Sequence, residues 1–245
     1  MLKIENLTAG YSGNVVLENI NLCINDGDFT GIIGPNGGGK TTLFRIILGI
    51  IAPISGTISF SRGFDPLKDL GYMPQMPEGD KAFPVTVEDV VISGLMPGRG
   101  LMARFGRNDR TKADSVMEEL GILNLRKTVL SELSGGQVQR VYLGRAIIGS
   151  PKILLLDEPG NFVDANFEHG FYDRLNELNR RMAILMVSHD VGMISSYVRS
   201  FACINRNLHY HDSGKITSEQ LQAYGCPIQL VTHGEVPHIV LKKHS

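Results

Sequence analysis

Eight residues constrain this chain more than any others. Gly34-Pro-Asn-Gly-Gly-Gly39-Lys40-Thr41 follows the spacing G-x-x-x-x-G-K-[ST]. It lies between an apolar run, Phe29 to Ile33, and a stretch of helical character, Thr41 to Ile50, that stops near Pro53. A short continuous apolar run suits a strand buried on both faces of a parallel sheet, so this segment reads as strand, loop and helix of an α/β fold. Glycines let successive backbone N–H groups turn inward at a positive helix end, which makes an anion nest. Lys40 is placed to reach β- and γ-phosphates, and the Thr41 hydroxyl to ligate Mg²⁺. The candidate phosphate-binding residues are therefore Gly34, Pro35, Asn36, Gly37, Gly38, Gly39, Lys40, Thr41 and Thr42. Alone, the segment names only nucleotide phosphates. A Gly-rich turn with an incidental lysine is the bland alternative.

With 245 residues and 42% of them hydrophobic, the chain can bury a core of one large α/β domain. Lys and Arg (24) nearly balance Asp and Glu (25), which argues against the basic excess of a nucleic-acid binder. Cys23, Cys203 and Cys226 form no CxxC pair and read as reduced, buried small residues. The N-terminus shows no apolar signal segment, and no stretch reaches the roughly 18 apolar residues of a spanning helix. A membrane role would need another chain.

Leu2, Ile4 and Leu7, then Val15 to Leu17, Ile20 to Ile24 and Gly56 to Phe60, read as strands. Val85 to Leu95 and Lys112 to Leu120 read as helices, joined by Met96 to Arg107. Ile153 to Leu156 and Ala183 to Val187 fit buried parallel strands, with a helix from Asn166 to Arg181 between them.

Two further segments carry chemistry. Asp157 and Glu158 end the Ile153–Leu156 run, at the sheet edge where ligands of open α/β sheets gather. Beside a phosphate nest, Asp157 would hold Mg²⁺ and Glu158 would orient or deprotonate the attacking water. Alone, the pair could be a plain strand end. Leu133-Ser134-Gly135-Gly136-Gln137 has capping-box spacing, with Ser134 as N-cap and Gln137 three residues on. The same start exposes N–H groups and a positive helix end, a second phosphate site. One ATP does not need two cradles from one chain, whereas two chains arranged head to tail would use both.

With these segments in hand, the sequence resembles the nucleotide-binding domain of ABC transporters. Gly34–Thr41 matches the family's Walker A, Ile153–Glu158 its Walker B and Leu133–Gln137 its signature. Tyr72-Met-Pro-Gln75 resembles the Q-loop, which implies Gln75 near Mg²⁺ and water. Ser188-His189-Asp190 resembles the switch-histidine motif, which implies that His189 meets the γ-phosphate. Tyr11 resembles the aromatic that stacks on adenine, and Asp164 the D-loop aspartate. The resemblance implies a P-loop NTPase with a RecA-like α/β core. Residues 1–75 and 141–205 form that core with an antiparallel β-subdomain, 76–140 a helical subdomain and 206–245 a C-terminal extension. It further implies an ATPase using ATP and Mg²⁺, with Glu158, His189, Gln75 and Lys40 catalytic. Ser134, Gly135, Gly136 and Gln137 would serve the nucleotide of a second copy. The motor would sit at the cytoplasmic face of the membrane on a permease, with a substrate-binding protein acting indirectly and no nucleic acid involved.

Two departures from the family pattern stand out. Gly160-Asn161-Phe162-Val163 replaces the usual small residues and leucine, which puts a bulky Phe162 at the expected dimer seam. Gly144 replaces a common alanine, at a helix-propensity cost. Repair ATPases with this signature carry a long coiled coil, translation-type cassettes carry two copies, and a nucleotide kinase would lack Ser134–Gln137. Asn205–His209, Tyr224–Pro227, His233-Gly234 and Pro237-His238 resemble zinc- and manganese-uptake cassettes, with iron-siderophore or haem importers as the alternative. His209, His211, His233 and His238 are more economically read as surface or packing residues than as a metal site.

Overall fold

The protein, described by a computed structural model, is defined for residues 1–75, 84–97, 99, 104–160, 165–212, 228–232 and 237–241. For 165–169, 228–232 and 237–241 the backbone alone is described. Asp164 and Phe162 lie outside the described residues, as does most of the tail motif. The chain forms two compact units, Met1–Phe64 with Asn176–Ser245, and Asp65–Leu175.

In the first unit, alternation builds an antiparallel sheet of β1 (Leu2–Tyr11), β2 (Asn14–Ile24) and β4 (Ser55–Phe60), with β1 in the middle. Leu2, Ile4, Leu7 and Ala9 of β1 are buried, as are Leu17, Ile20, Leu22 and Ile24 of β2. The parity of that pattern slips between Ile4 and Leu7 and again between Leu17 and Ile20. Asn6 (φ 48°) and Asn19 (φ 53°) supply the slips, since asparagine tolerates the left-handed region better than most residues. The two apolar runs of the sequence, Val15–Leu17 and Ile20–Ile24, are therefore one bulged strand. Cys23 projects from its exposed face and is not a buried residue; Cys203 is buried.

The same unit holds β3 (Phe29–Ile33), parallel to both β7 (Ala183–Val187) and β8 (Ser200–Asn205), with β9 (Asn207–His211) returning antiparallel on β8. All five residues of β3 and of β7 are buried, as continuous apolar runs in a covered parallel sheet should be. Helix α1 (Lys40–Ile47) follows β3 and stops at Gly49 (φ 70°), short of the expected Ile50, because glycine accepts the left-handed C-terminal turn. A short helix α7 (Val191–Ile194) follows β7, and β10 (Ile228–Thr232) pairs antiparallel with β11 (Pro237–Leu241).

In the second unit, β5 (Leu70–Met73) follows the short helix α2 (Pro66–Asp69) and runs parallel to β6 (Ile153–Asp157). Helices α3 (Val87–Ser93), α4 (Arg107–Glu119) and α5 (Gly135–Ile147) pack together. Helix α6 (Ala165–Asn179) follows β6 in the chain. Helix α3 starts at Val87 because Thr86 caps it in a full capping box with Asp89. Gly144 has a packing reason: an added Cβ would stand 3.2 Å from Leu120 and 3.3 Å from Val91, so the glycine keeps α5 close to its neighbours.

Glu88 joins three segments of this unit. Arg126 grips its carboxylate through two hydrogen bonds of 2.9 and 2.8 Å, and Arg110 adds a third of 2.8 Å. The Arg126 hydrogen bonds hold the Glu88 carboxyl below the usual range, and the Arg99 side chain does the same at Asp109, pulled down to about 2. Both groups have lowered folded-state pKa values, so their stabilisation is full above the unfolded carboxylate range and is lost as pH falls through the folded values. Glu88→Gln leaves two guanidiniums partly unpaired and should cost about 1–3 kcal/mol at neutral pH, between an exposed and a buried pair. Urea unfolding near pH 7 and near pH 3 tests this. The gap between variant and wild type should narrow in acid, and an equal gap at both would refute the assignment.

Candidate functional site

The phosphate cradle in the first unit is built by close backbone approach. Gly34 (φ 153°) leaves β3 against the carbonyl of Ile204 on β8, where any side-chain carbon would collide. Gly39 (φ 104°) precedes α1 against the Leu17 side chain, so it too accepts no substituent. Asn36 and Gly37 are exposed at the loop's crest, while Gly38 and Gly39 are buried. Lys40, 6% exposed, folds its ammonium back to donate to the carbonyls of Gly34 and Pro35 at 2.9 Å each. These two hydrogen bonds point the ammonium into the loop, where an anion would meet it. Thr41 is half-buried and Thr42 buried in the first turn of α1.

Two more expected residues share this unit. Tyr11, 40% exposed at the end of β1, turns its hydroxyl to 3.4 Å from Thr42 and accepts from Arg45 at 3.3 Å. The hydroxyl thus ties the ring to the helix that follows the cradle, and the residue stays partly exposed. His189 is exposed on the turn between β7 and α7. That turn is tightly made. The Asp190 amide donates to the Ser188 hydroxyl at 3.0 Å, and the Asp190 carboxylate caps α7. The Ser188 amide in turn donates to Ile32 at the end of β3, so His189 stands beside the strand end that feeds the cradle.

The second unit carries the carboxylates. Asp157, 1% exposed, ends β6, and its Oδ2 lies 3.5 Å from the Tyr72 hydroxyl. Glu158 follows at φ 50°, a left-handed conformation that costs a non-glycine residue about 1–3 kcal/mol and collects at functional sites. The strain turns its carboxylate out of the strand, where Gln75 donates an amide hydrogen to Oε2 at 2.6 Å. Gln75 is exposed two residues beyond β5, which runs beside β6. Hence the sequence-distant Gln75 and Glu158 meet.

Ser134 and Gln137 form the capping box that their spacing implies. The Ser134 hydroxyl accepts from the Gln137 amide, and the Gln137 side chain accepts from the Ser134 amide at 2.9 Å. Gly135 is exposed and Gly136 buried, so the helix start is open on one side only. Gln139, which the motif reading passed over, is 1% exposed and donates to the Pro159 carbonyl at 2.5 Å. Its signal was available: a glutamine on the buried stripe of Gly136, Leu143 and Ala146.

The donors whose chemistry suits a divalent cation are hard oxygens: in the first unit the Thr41 hydroxyl, and in the second, taken by itself, the buried Asp157 carboxylate, which gains from a cation's company. Among the described residues no three of His, Cys, Asp and Glu converge as a metal site. His209 and His211 share one face of β9, and burial together with the neighbouring His209 lowers the His211 pKa. His233 lies outside the described residues, and of His238 only the backbone is described. No helix among the described residues is long and apolar enough to cross a membrane.

The sequence matches the family model described as ABC transporter over residues 17–161. It is 36% identical to a zinc uptake system ATP-binding protein, ZurA, of Listeria monocytogenes, covering 87% of this chain and 86% of the relative. It is 34% identical to the manganese transport system ATP-binding protein MntB of the same organism, covering 91% and 96%. In structure it is similar to a chain of a metal-chelate type ABC transporter in an inward-facing conformation, with TM-score 0.83, 27% identity and 99% and 97% coverage.

Proposed function

The chain belongs to the ABC transporter family, and on that premise we propose that it is the ATP-hydrolysing subunit of an importer that takes up zinc or manganese through a separate permease. The family's fold and ATPase class come with membership. The observation that carries hydrolysis is the carboxylate pair ending β6. Asp157 is buried as a metal ligand would be, and Glu158 is turned out of the strand with Gln75 donating to its Oε2.

The residue roles follow from chemistry. Lys40 and the loop amides of Gly34 to Thr42 hold the β- and γ-phosphates, and Tyr11 offers a ring face to the adenine. Thr41 and Asp157, with Gln75 nearby, would hold Mg²⁺, which when bound neutralises charge on the phosphate oxygens. Glu158 accepts a proton from the attacking water, and Gln75, already on Oε2, aligns that water. His189 donates to the γ-phosphate. Ser134 to Gln137, a helix start whose Gly135 and Gly136 amides take no part in the capping box, bind the γ-phosphate of the nucleotide held by a second copy, to which Asp164 would also contribute.

The cargo reading is supported by the relatives' own substrates, zinc and manganese. Importers of iron chelates are the second reading, which the similarity to a metal-chelate type transporter favours. Uptake in a strain lacking this gene, grown with chelator, separates the two. Zinc or manganese accumulation should fall and return with the gene, whereas loss of iron-chelate uptake alone would replace the first reading with the second. Position at the cytoplasmic face, through the permease and with a substrate-binding protein delivering cargo, follows from the same proposal.

A further inference from the structure

Gln139 sits where a glutamine is costly. It faces the packed side of α5 with 1% exposure, and a primary amide stripped of water must find acceptors. Its Nε2 donates to the carbonyl of Pro159, the residue that follows Glu158. Glu158 itself stands at φ 50°, a conformation that surrounding structure must enforce. Pro159 has no N–H and a fixed φ, so its carbonyl is a handle by which the chain beyond Glu158 can be held. Five residues before Gln139, in the same helix, Ser134 caps the phosphate-binding start.

We infer that Gln139 is a positioning residue, which fixes the Pro159 carbonyl and thereby the backbone from which Glu158 presents its carboxylate, tying the Ser134–Gln137 helix start to the general base. This rests on the reading of Glu158 as general base. A shift of α5 on meeting a nucleotide would be passed through one short, buried hydrogen bond to the group that handles the water.

The test is a double-mutant cycle on the full chain. Gln139→Met keeps length and volume and deletes the donor. Its kcat should fall about five- to tenfold, one hydrogen bond's worth, with KM for ATP changed by less than about twofold. In a Glu158→Gln background the same substitution should change the residual rate little, because a loss that acts through Glu158 cannot be counted twice. A general packing defect would lower the rate equally in both backgrounds, and that result overturns the inference. Gln139→Glu supplies the independent arm. Its ionised form repels the Pro159 carbonyl, its protonated form donates to it, and burial raises its pKa. Turnover relative to wild type should therefore recover as pH falls, and a flat ratio overturns the inference. If Gln139→Met unfolds at assay temperature, this arm decides alone. Should wild type fail to hydrolyse ATP, or Glu158→Gln turn over like wild type, the reading of Glu158 is what fails, and controls without any change at Gln139 reveal it.

Discussion

Glu158→Gln should slow ATP turnover by about 10²–10⁴-fold, the usual worth of a general base, while ATP binding is kept. The substitution preserves size, and the amide can still meet Gln75, whose donor lies 2.6 Å from Oε2. What it removes is the ability to accept a proton. The left-handed backbone at φ 50° is no more strained by glutamine than by glutamate, so folding should be little affected. Nucleotide that binds but is not cleaved should hold two chains together long enough to separate as a dimer by size-exclusion chromatography with ATP. Near-wild-type turnover from folded protein would remove Glu158 from the role. So would a loss matched by Asp157→Asn in ATP affinity as well as rate, because it would mean that both carboxylates serve binding.

What was legible beforehand was whatever is encoded locally. The cradle was legible because only glycine fits Gly34 against Ile204 and Gly39 against Leu17, so the composition of the loop is itself the structural constraint. The Ser134–Gln137 start was legible because a capping box is a four-residue device, complete within its own segment. The end of β6 was legible because Ile153 to Leu156 have no polar interruption before two acids.

What was hidden depends on tertiary partners. Helix α4 begins at Arg107, not near Lys112, because the Asp109 carboxylate reaches back to the Gly106 amide, and glycine gave no capping signal. Strand β5 is four residues long and carries a glycine, Gly71, that only its approach to Ala146 explains. Phe201 to Ile204 was an apolar run without assignment until β3 paired with it. The φ of Glu158 and the reach of Gln139 have no one-dimensional signature, yet they set how the base is held.

Lys40→Ala should weaken ATP binding itself, and its pairing with Ser134→Arg should show whether catalysis needs two chains. Lys40 is buried and donates to the Gly34 and Pro35 carbonyls, so its removal takes a cation out of the loop. Charge-assisted contacts to phosphate are about twice as strong as neutral ones, and losing them here should lower affinity by about tenfold or more. Ser134→Arg leaves that loop untouched. It places a large cation at the exposed start of α5, where Gln137 and Ser134 now close a capping box. Each variant alone should be nearly inactive in hydrolysis. In a mixture, a heterodimer can gather both lesions in one composite site and leave the other intact, if the Ser134 cradle serves the partner's nucleotide. ATPase activity should then rise well above that of either variant and approach a maximum near equal proportions. If the cradle served its own chain's nucleotide, every site would carry one lesion and mixing would restore nothing. A wild-type chain that hydrolyses at full rate when diluted to strict monomers would defeat the two-chain mechanism by a separate route.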